Sequence, residues 1–178
     1  MTLPTTMLHI VSSGDLRLMR RVNRWKAPRW IRIWMILATR AGDGWLWYAL
    51  AGLVLAFGGN GRFAAVTAAG VSCGTGTFLF LILKRAIGRK RPCALATHCW
   101  ATLLPPDQFS FPSGHSISAF AFALSIGLYE PSLMYGLLFC AVSVAISRIL
   151  LGLHFLSDVV AGSLLGVALG YAAHLLIA

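Results

Sequence analysis

Acidic side chains are nearly missing from this chain: Asp and Glu number 5 in 178 residues, against 15 Lys and Arg. Charge of either sign is scarce as well, at 11% of residues, where soluble proteins carry roughly 25%. That scarcity excludes an ordinary water-soluble helical bundle, whose helices each need a polar face. The stretches 45–58 and 157–178 have none. Nucleic acid is excluded as a partner for a related reason. Once the apolar segments are set aside, no soluble basic domain remains, so the net charge of +10 points to an anionic membrane surface or an anionic substrate. Cysteine is also sparse, with 4 in all. Cys73 and Cys140 sit in apolar runs and read as packing residues, whereas Cys93 and Cys99 share a loop and would pair in an oxidising compartment. Neither pair has zinc-site spacing, so no metal is expected. The first apolar stretch precedes the basic cluster instead of following it, so no cleavable signal peptide is expected. No repeat of 20 to 50 residues is visible.

What the chain has in abundance is apolar side chains, 58% of the total, with a mean hydropathy of +0.77. Between Arg17 and Arg40 cations alternate with Trp25, Trp30 and Trp34. This pattern predicts interfacial helices with cations at headgroups and indoles in the boundary layer, broken by Pro28. Five apolar spans follow, at 43–58, 63–83, 114–129, 132–150 and 156–177, each near the length needed for a ~30 Å hydrocarbon core. A polar loop, 85–112, separates the second span from the third. The expected fold is therefore an all-α polytopic membrane bundle of five spans, or six if 30–41 also crosses. It is expected as one domain over 1–178, with 1–42 interfacial and 43–178 forming the bundle.

Connectivity then gathers three polar clusters at one membrane face: Lys84 with Arg91-Pro92, Pro112-Ser113-Gly114-His115, and Ser147-Arg148 with His154 and Asp158. A phosphoryl group gains negative charge on its equatorial oxygens during transfer and needs fixed cations around it. Lys84, Arg91 and Arg148 supply them, arginine being suited to bidentate contact. Ser113 and Gly114 open a helix, whose free N–H groups favour an anion. His154 and His115 provide a nucleophile and a proton donor near neutral pH. Asp158, four residues after His154, would share its helix face and accept the Nδ1 proton, leaving Nε2 to attack. His115 has no acid nearby in sequence, which makes it the donor to the leaving group. Each residue alone has a plainer reading as a snorkelling cation, a packed histidine or a helix-packing Ser-Gly pair. Ionisable groups within membrane spans are costly, however, and here they converge on one face.

Taken together, the three clusters resemble the signature of the type 2 phosphatidic acid phosphatase superfamily, which covers lipid phosphate phosphatases, bacterial acid phosphatases and vanadium haloperoxidases. The resemblance spans residues 84–158. It implies that Lys84, Arg91, Arg148, Ser113 and Gly114 hold the phosphate, and that His154 becomes a phosphohistidine oriented by Asp158. It implies that His115 protonates the leaving oxygen, that no metal or other cofactor takes part, and that vanadate inhibits. The implied partner is a lipid phosphate within the bilayer: undecaprenyl diphosphate, phosphatidylglycerophosphate or phosphatidate in type. The same site could pass the phosphoryl group to a second lipid, and an anion-binding transporter is the non-enzymatic alternative. A bacterial inner membrane is the expected location. Five spans place the basic amino-terminal segment on the active-site face, and positive-inside counting would make that face cytoplasmic. The family resemblance implies the outer side, and that is the expectation adopted. Trp100, Phe109 and Phe111 are candidates for lining the substrate mouth, and equally for an interfacial belt.

Overall fold

The computed structural model describes residues 5–95 and 108–178. Among these, the chain forms eight α-helices: α1 (Thr5–Arg24), α2 (Arg29–Ala41), α3 (Trp45–Phe57), α4 (Arg62–Ile87), α5 (Pro92–Leu95), α6 (Gly114–Tyr129), α7 (Met134–Leu150) and α8 (Leu156–Ile177). A 3₁₀ turn, Pro131–Leu133, leads into α7. Cys99, Trp100 and any Cys93–Cys99 bond lie outside the described residues. The protein is an all-α, multi-pass membrane bundle. α4, α8 and the Pro131–Leu150 unit are long and apolar enough to cross a membrane. α3 and α6 are the shorter apolar helices, with 13 and 16 residues. At 1.5 Å per residue α3 covers only about 20 Å, so it is the short member of the five.

Helix ends follow from the sequence. α4 runs past the expected limit of 83 to Ile87, because Lys84 and Arg85 belong to its last turn, where cations complement the helix dipole. Gly88 then takes the left-handed conformation (φ 60°) and its N–H returns to the Lys84 carbonyl at 3.2 Å. Pro28 precedes α2 and separates it from α1 as its fixed φ dictates.

The centre of the bundle is α6, which packs against α4, α7 and α8. Its buried residues are small for the most part, with Ile117, Phe122 and Ile126 the large exceptions. α8 meets it through Gly162, Gly166 and Gly170, one glycine every four residues. A Cβ on Gly162 would lie 2.7 Å from the Ser113 carbonyl oxygen, and one on Gly170 would lie 2.7 Å from that of Ala121. Such backbone approach is how membrane helices gain dispersion energy where lipid removes the hydrophobic drive.

Of the amino-terminal helices, α2 packs against α7 and α1 meets α8. Met35 of α2 shares a core cluster with Leu151 and Leu153 of the α7–α8 turn, and Ala27 and Ile31 pack against that cluster. Asp43, after α2, bonds to His115 at the start of α6. Trp30, Ile33, Trp34 and Leu37 of α2 are exposed. Trp34 stacks on Phe139 of α7 with ring centroids 5.8 Å apart. Asp15 of α1 reaches Ser157 at the start of α8, so the basic arm borders the end of the bundle that carries the polar clusters.

Candidate active site

The residues that converge do so because three chain segments are pinned to each other. α7 ends in a Schellman motif: Gly152, at φ 71°, donates to Ile149, and Leu153 donates to Arg148, both at 3.0 Å. The His154 N–H also reaches the Arg148 carbonyl at 3.0 Å. A left-handed glycine therefore turns the chain so that His154 precedes α8 instead of belonging to it. The second segment, 89–91, runs antiparallel beside 108–110 through a Lys90–Phe109 bridge and a Ser110 N–H to Arg89 carbonyl bond of 2.7 Å. The third is the start of α6, where the Ser113 N–H donates to the Asp158 carbonyl at 3.1 Å.

His154 is buried, and its Nδ1 lies 2.6 Å from the Ser110 carbonyl oxygen. A carbonyl can only accept, so Nδ1 carries the hydrogen and Nε2 keeps its lone pair. The Arg91 guanidinium donates to that Nε2 at 3.1 Å and to the Leu153 carbonyl at 2.7 Å. Burial, then the cations Arg148 and Arg91, hold the His154 imidazole well below the usual 6.5, with the Ser110 carbonyl opposing them. Arg148 is itself steadied by the Thr39 hydroxyl, 2.6 Å from Nη1. His115 Nε2 stands 2.9 Å from the Asp43 carboxylate.

The spacing-based role for Asp158 needs correcting. Its nearest oxygen is 3.8 Å from His154 Nδ1, beyond hydrogen-bond reach, and the Ser110 carbonyl occupies that place. Four-residue spacing gives a shared face only within continuous helix, and α8 begins at Leu156, after His154. Asp158 instead accepts from the Phe155 N–H at 2.8 Å and from Arg89 Nη1 at 2.6 Å. It fixes the start of α8, and its effect on His154 runs through the backbone.

These groups open onto a cavity of about 700 Å³, within the range of ligand sites. Asp43, Arg91, His115, Arg148 and His154 form its polar end. Trp47, Ala51, Val66, Cys73 and Phe122 form an apolar end between α3, α4 and α6. Gly114 lines it too, whereas Lys84, Ser113 and Asp158 stand one layer back. Lys84 Nζ lies 4.4 Å above the ring of Phe80, itself a wall residue. Ser113 is buried and accepts from the Ser116 hydroxyl at 3.0 Å. Phe109 and Phe111, expected at the mouth, do not line the cavity. No group of three or more His, Cys, Asp or Glu among the described residues could hold a metal ion. Sequence reasoning missed Asp43, Thr39 and Arg89. The signal available for Asp43 was its rarity as an acid at the head of an apolar span.

Comparison with known proteins follows the same residues. The model of the PAP2 superfamily matches residues 65–178. A decaprenylphosphoryl-5-phosphoribose phosphatase of Mycobacterium tuberculosis is 37% identical over 132 residues, covering 71% of this chain and 68% of that protein. A lipid A 1-phosphatase of Rhizobium etli is 36% identical over 89 residues, 48% of this chain. That alignment spans only 38% of the length of the relative. Among solved structures, Aquifex aeolicus LpxE superposes with a TM-score of 0.75 at 26% identity, over 89% of this chain and 93% of that one. The transmembrane PAP2-type phosphatidylglycerolphosphate phosphatase of Bacillus subtilis gives 0.70 at 27% identity, over 92% and 84%.

Proposed function

The chain belongs to the PAP2 superfamily, and from that premise we propose that it is an integral membrane phosphatase acting on a lipid phosphate monoester or diphosphate through a phosphohistidine at His154. The observation that carries this reading is the 2.6 Å bond from Nδ1 to the Ser110 carbonyl. It commits the proton to Nδ1 and leaves Nε2 as a nucleophile directed among Arg91, Arg148 and His115.

In the proposed reaction Arg91 and Arg148 hold the non-bridging oxygens, aided by the first-turn amides of α6 and by Lys84 from behind. The Nε2 lone pair forms the N–P bond as the P–O bond to the lipid breaks, its electrons passing to the leaving oxygen. His115 delivers a proton to that oxygen. Asp43 accepts from Nε2–H of His115, stabilises the imidazolium and leaves Nδ1 as the donor. Water then attacks phosphorus, His115 takes its proton, and the N–P bond breaks to release phosphate. The apolar end of the cavity suits a chain that stays in the bilayer while its headgroup reaches the cations. Undecaprenyl diphosphate, phosphatidylglycerophosphate and phosphatidate are the substrate types proposed.

The test is phosphate release from these three lipids by detergent-purified protein, with and without EDTA. Release that survives EDTA and is lost in His154→Ala is the expected result. Full activity in His154→Ala sinks the assignment. Label arriving on a second lipid, without free phosphate, replaces hydrolysis by transfer. We place the protein in a bacterial inner membrane with its site outward, as the family resemblance implies. The basic arm on the active-site face argues for the cytoplasm by charge counting. Labelling of Cys93 by an impermeant thiol reagent in intact cells, after reduction, decides between them: modification supports the outer face and protection overturns it.

A further inference from the structure

α8 starts without an ordinary cap. Its first-turn N–H groups need acceptors, yet Phe155 stands at the N-cap position and has no side-chain acceptor. Asp158 turns back to take the Phe155 N–H. The Ser157 N–H is met from elsewhere: by Oδ1 of Asp15, on α1, at 3.2 Å. The other oxygen of Asp15 accepts from the Ser157 hydroxyl at 2.5 Å and from Arg89 Nη2 at 2.7 Å. Arg89 completes the link through Nη1, 2.6 Å from Asp158 and 2.7 Å from Ser157 Oγ. Its guanidinium lies 4.2 Å over the Phe155 ring.

Asp15 is only 6% exposed, and a buried carboxylate persists only where it is fully partnered. Its partners are Ser157, in the first turn of α8, and Arg89, whose guanidinium lies over Phe155 next to His154. Leu18 and Met19 of α1 close over the same turn with Asp15, beside Gly152, His154 and Phe155. A helix read from sequence as a surface anchor thus supplies a cap, across 142 residues, to the helix that follows His154.

We propose that Asp15 is a positioning residue of the active site, capping α8 from α1 and so fixing the turn that aims His154. The kinetic part rests on the phosphatase reading; the capping part does not. The experiment compares full-length Asp15→Ala and Asp15→Asn with Arg20→Gln, an exposed site on the same helix. Two quantities are measured: kinetics on the best lipid of the panel, and amide exchange over the membrane helices. Asp15→Ala is expected to lower kcat by about tenfold to a hundredfold, the scale of a small misplacement of reacting groups, with KM little changed. Asp15→Asn, which keeps an acceptor for the Ser157 N–H, restores part of kcat, and Arg20→Gln behaves as wild type. Exchange over 153–158 should rise in Asp15→Ala while α6 stays protected.

Unchanged exchange at 153–158, or a rise shared equally by α4, α6 and α8, overturns the proposal. So does a loss that appears in KM alone or that Asp15→Asn fails to relieve. If wild-type protein releases no phosphate while exchange still rises locally in Asp15→Ala, the function reading falls and the cap stands.

Discussion

Adding one methyl group at Gly162 should damage the active site more than the same change at Gly170, although both glycines meet α6 at the same distance. At Gly162 the new Cβ would lie 2.7 Å from the Ser113 carbonyl oxygen and 3.3 Å from Ser116 Cβ. Ordinary contact begins at 3.4 Å, so the helices must part locally by about 0.3 to 0.7 Å, according to how much compression remains. Neither neighbour offers a flexible tip that could swing away. At Gly170 the clash is with the Ala121 carbonyl, also at 2.7 Å, two turns further from the site. Overpacking of this kind costs about 1–3 kcal/mol at either position, so the two variants should lose similar stability. Their catalytic losses should differ. Ser113 donates to the Asp158 carbonyl and immediately precedes Gly114 and His115, so displacement there moves the proton donor relative to His154. A misplacement approaching 1 Å costs up to about 100-fold in rate. Gly162→Ala is expected to lose at least about tenfold in kcat and Gly170→Ala less than about threefold. The assay is lipid phosphate release at fixed temperature, with thermal unfolding of each variant in the same detergent. Equal kcat losses, or losses that simply follow the fall in melting temperature, would refute the reasoning.

Two further outcomes follow from the site. Asp43→Ala should lower turnover of alkyl phosphate esters by about 10²–10⁴-fold, the range of general acid catalysis, and largely spare an aryl phosphate whose leaving group needs no proton. Equal losses on both would remove Asp43 and His115 from proton delivery. Arg91→Met takes away a cation 3.1 Å from His154 Nε2, so the imidazole, held well below 6.5 in the native protein, should titrate higher. The acid limb of kcat/KM then moves up towards pH 6.5, and a limb that moves down or stays would contradict the electrostatic account.

What was legible in the sequence was whatever is carried by local pattern. The apolar spans, the break at Pro28 and the three polar clusters each need only residues close together in the chain. The order of spans then brought the clusters to one face. The role of Asp158 was misjudged because a left-handed glycine, Gly152, breaks the helix before His154, and four-residue spacing means shared direction only inside one helix. The acceptor that orients His154, the Ser110 carbonyl, was invisible for a plainer reason. Every residue has that group, so no side-chain pattern marks it.

The partners of the reacting groups raise a different question, since they are side chains and could in principle be read. Asp43 meets His115 across 72 residues, Thr39 meets Arg148 across 109 and Asp15 meets Ser157 across 142. Spacing is silent at such separations. Composition is not. With fifteen cations competing for five acids, a carboxylate in this chain is a scarce resource for balancing charge. Asp15, Asp43 and Asp158 all lie on the face with His115 and His154, while Glu130 takes the Gly59 N–H at 2.7 Å near the far ends of α3 and α6. A solvated surface would scatter its acids. Lipid leaves few places where a carboxylate is tolerated, and the four acids among the described residues sit where a histidine, an arginine or a backbone N–H gives them partners. The shortage of acid is therefore the sequence signal that groups these three aspartates at one site.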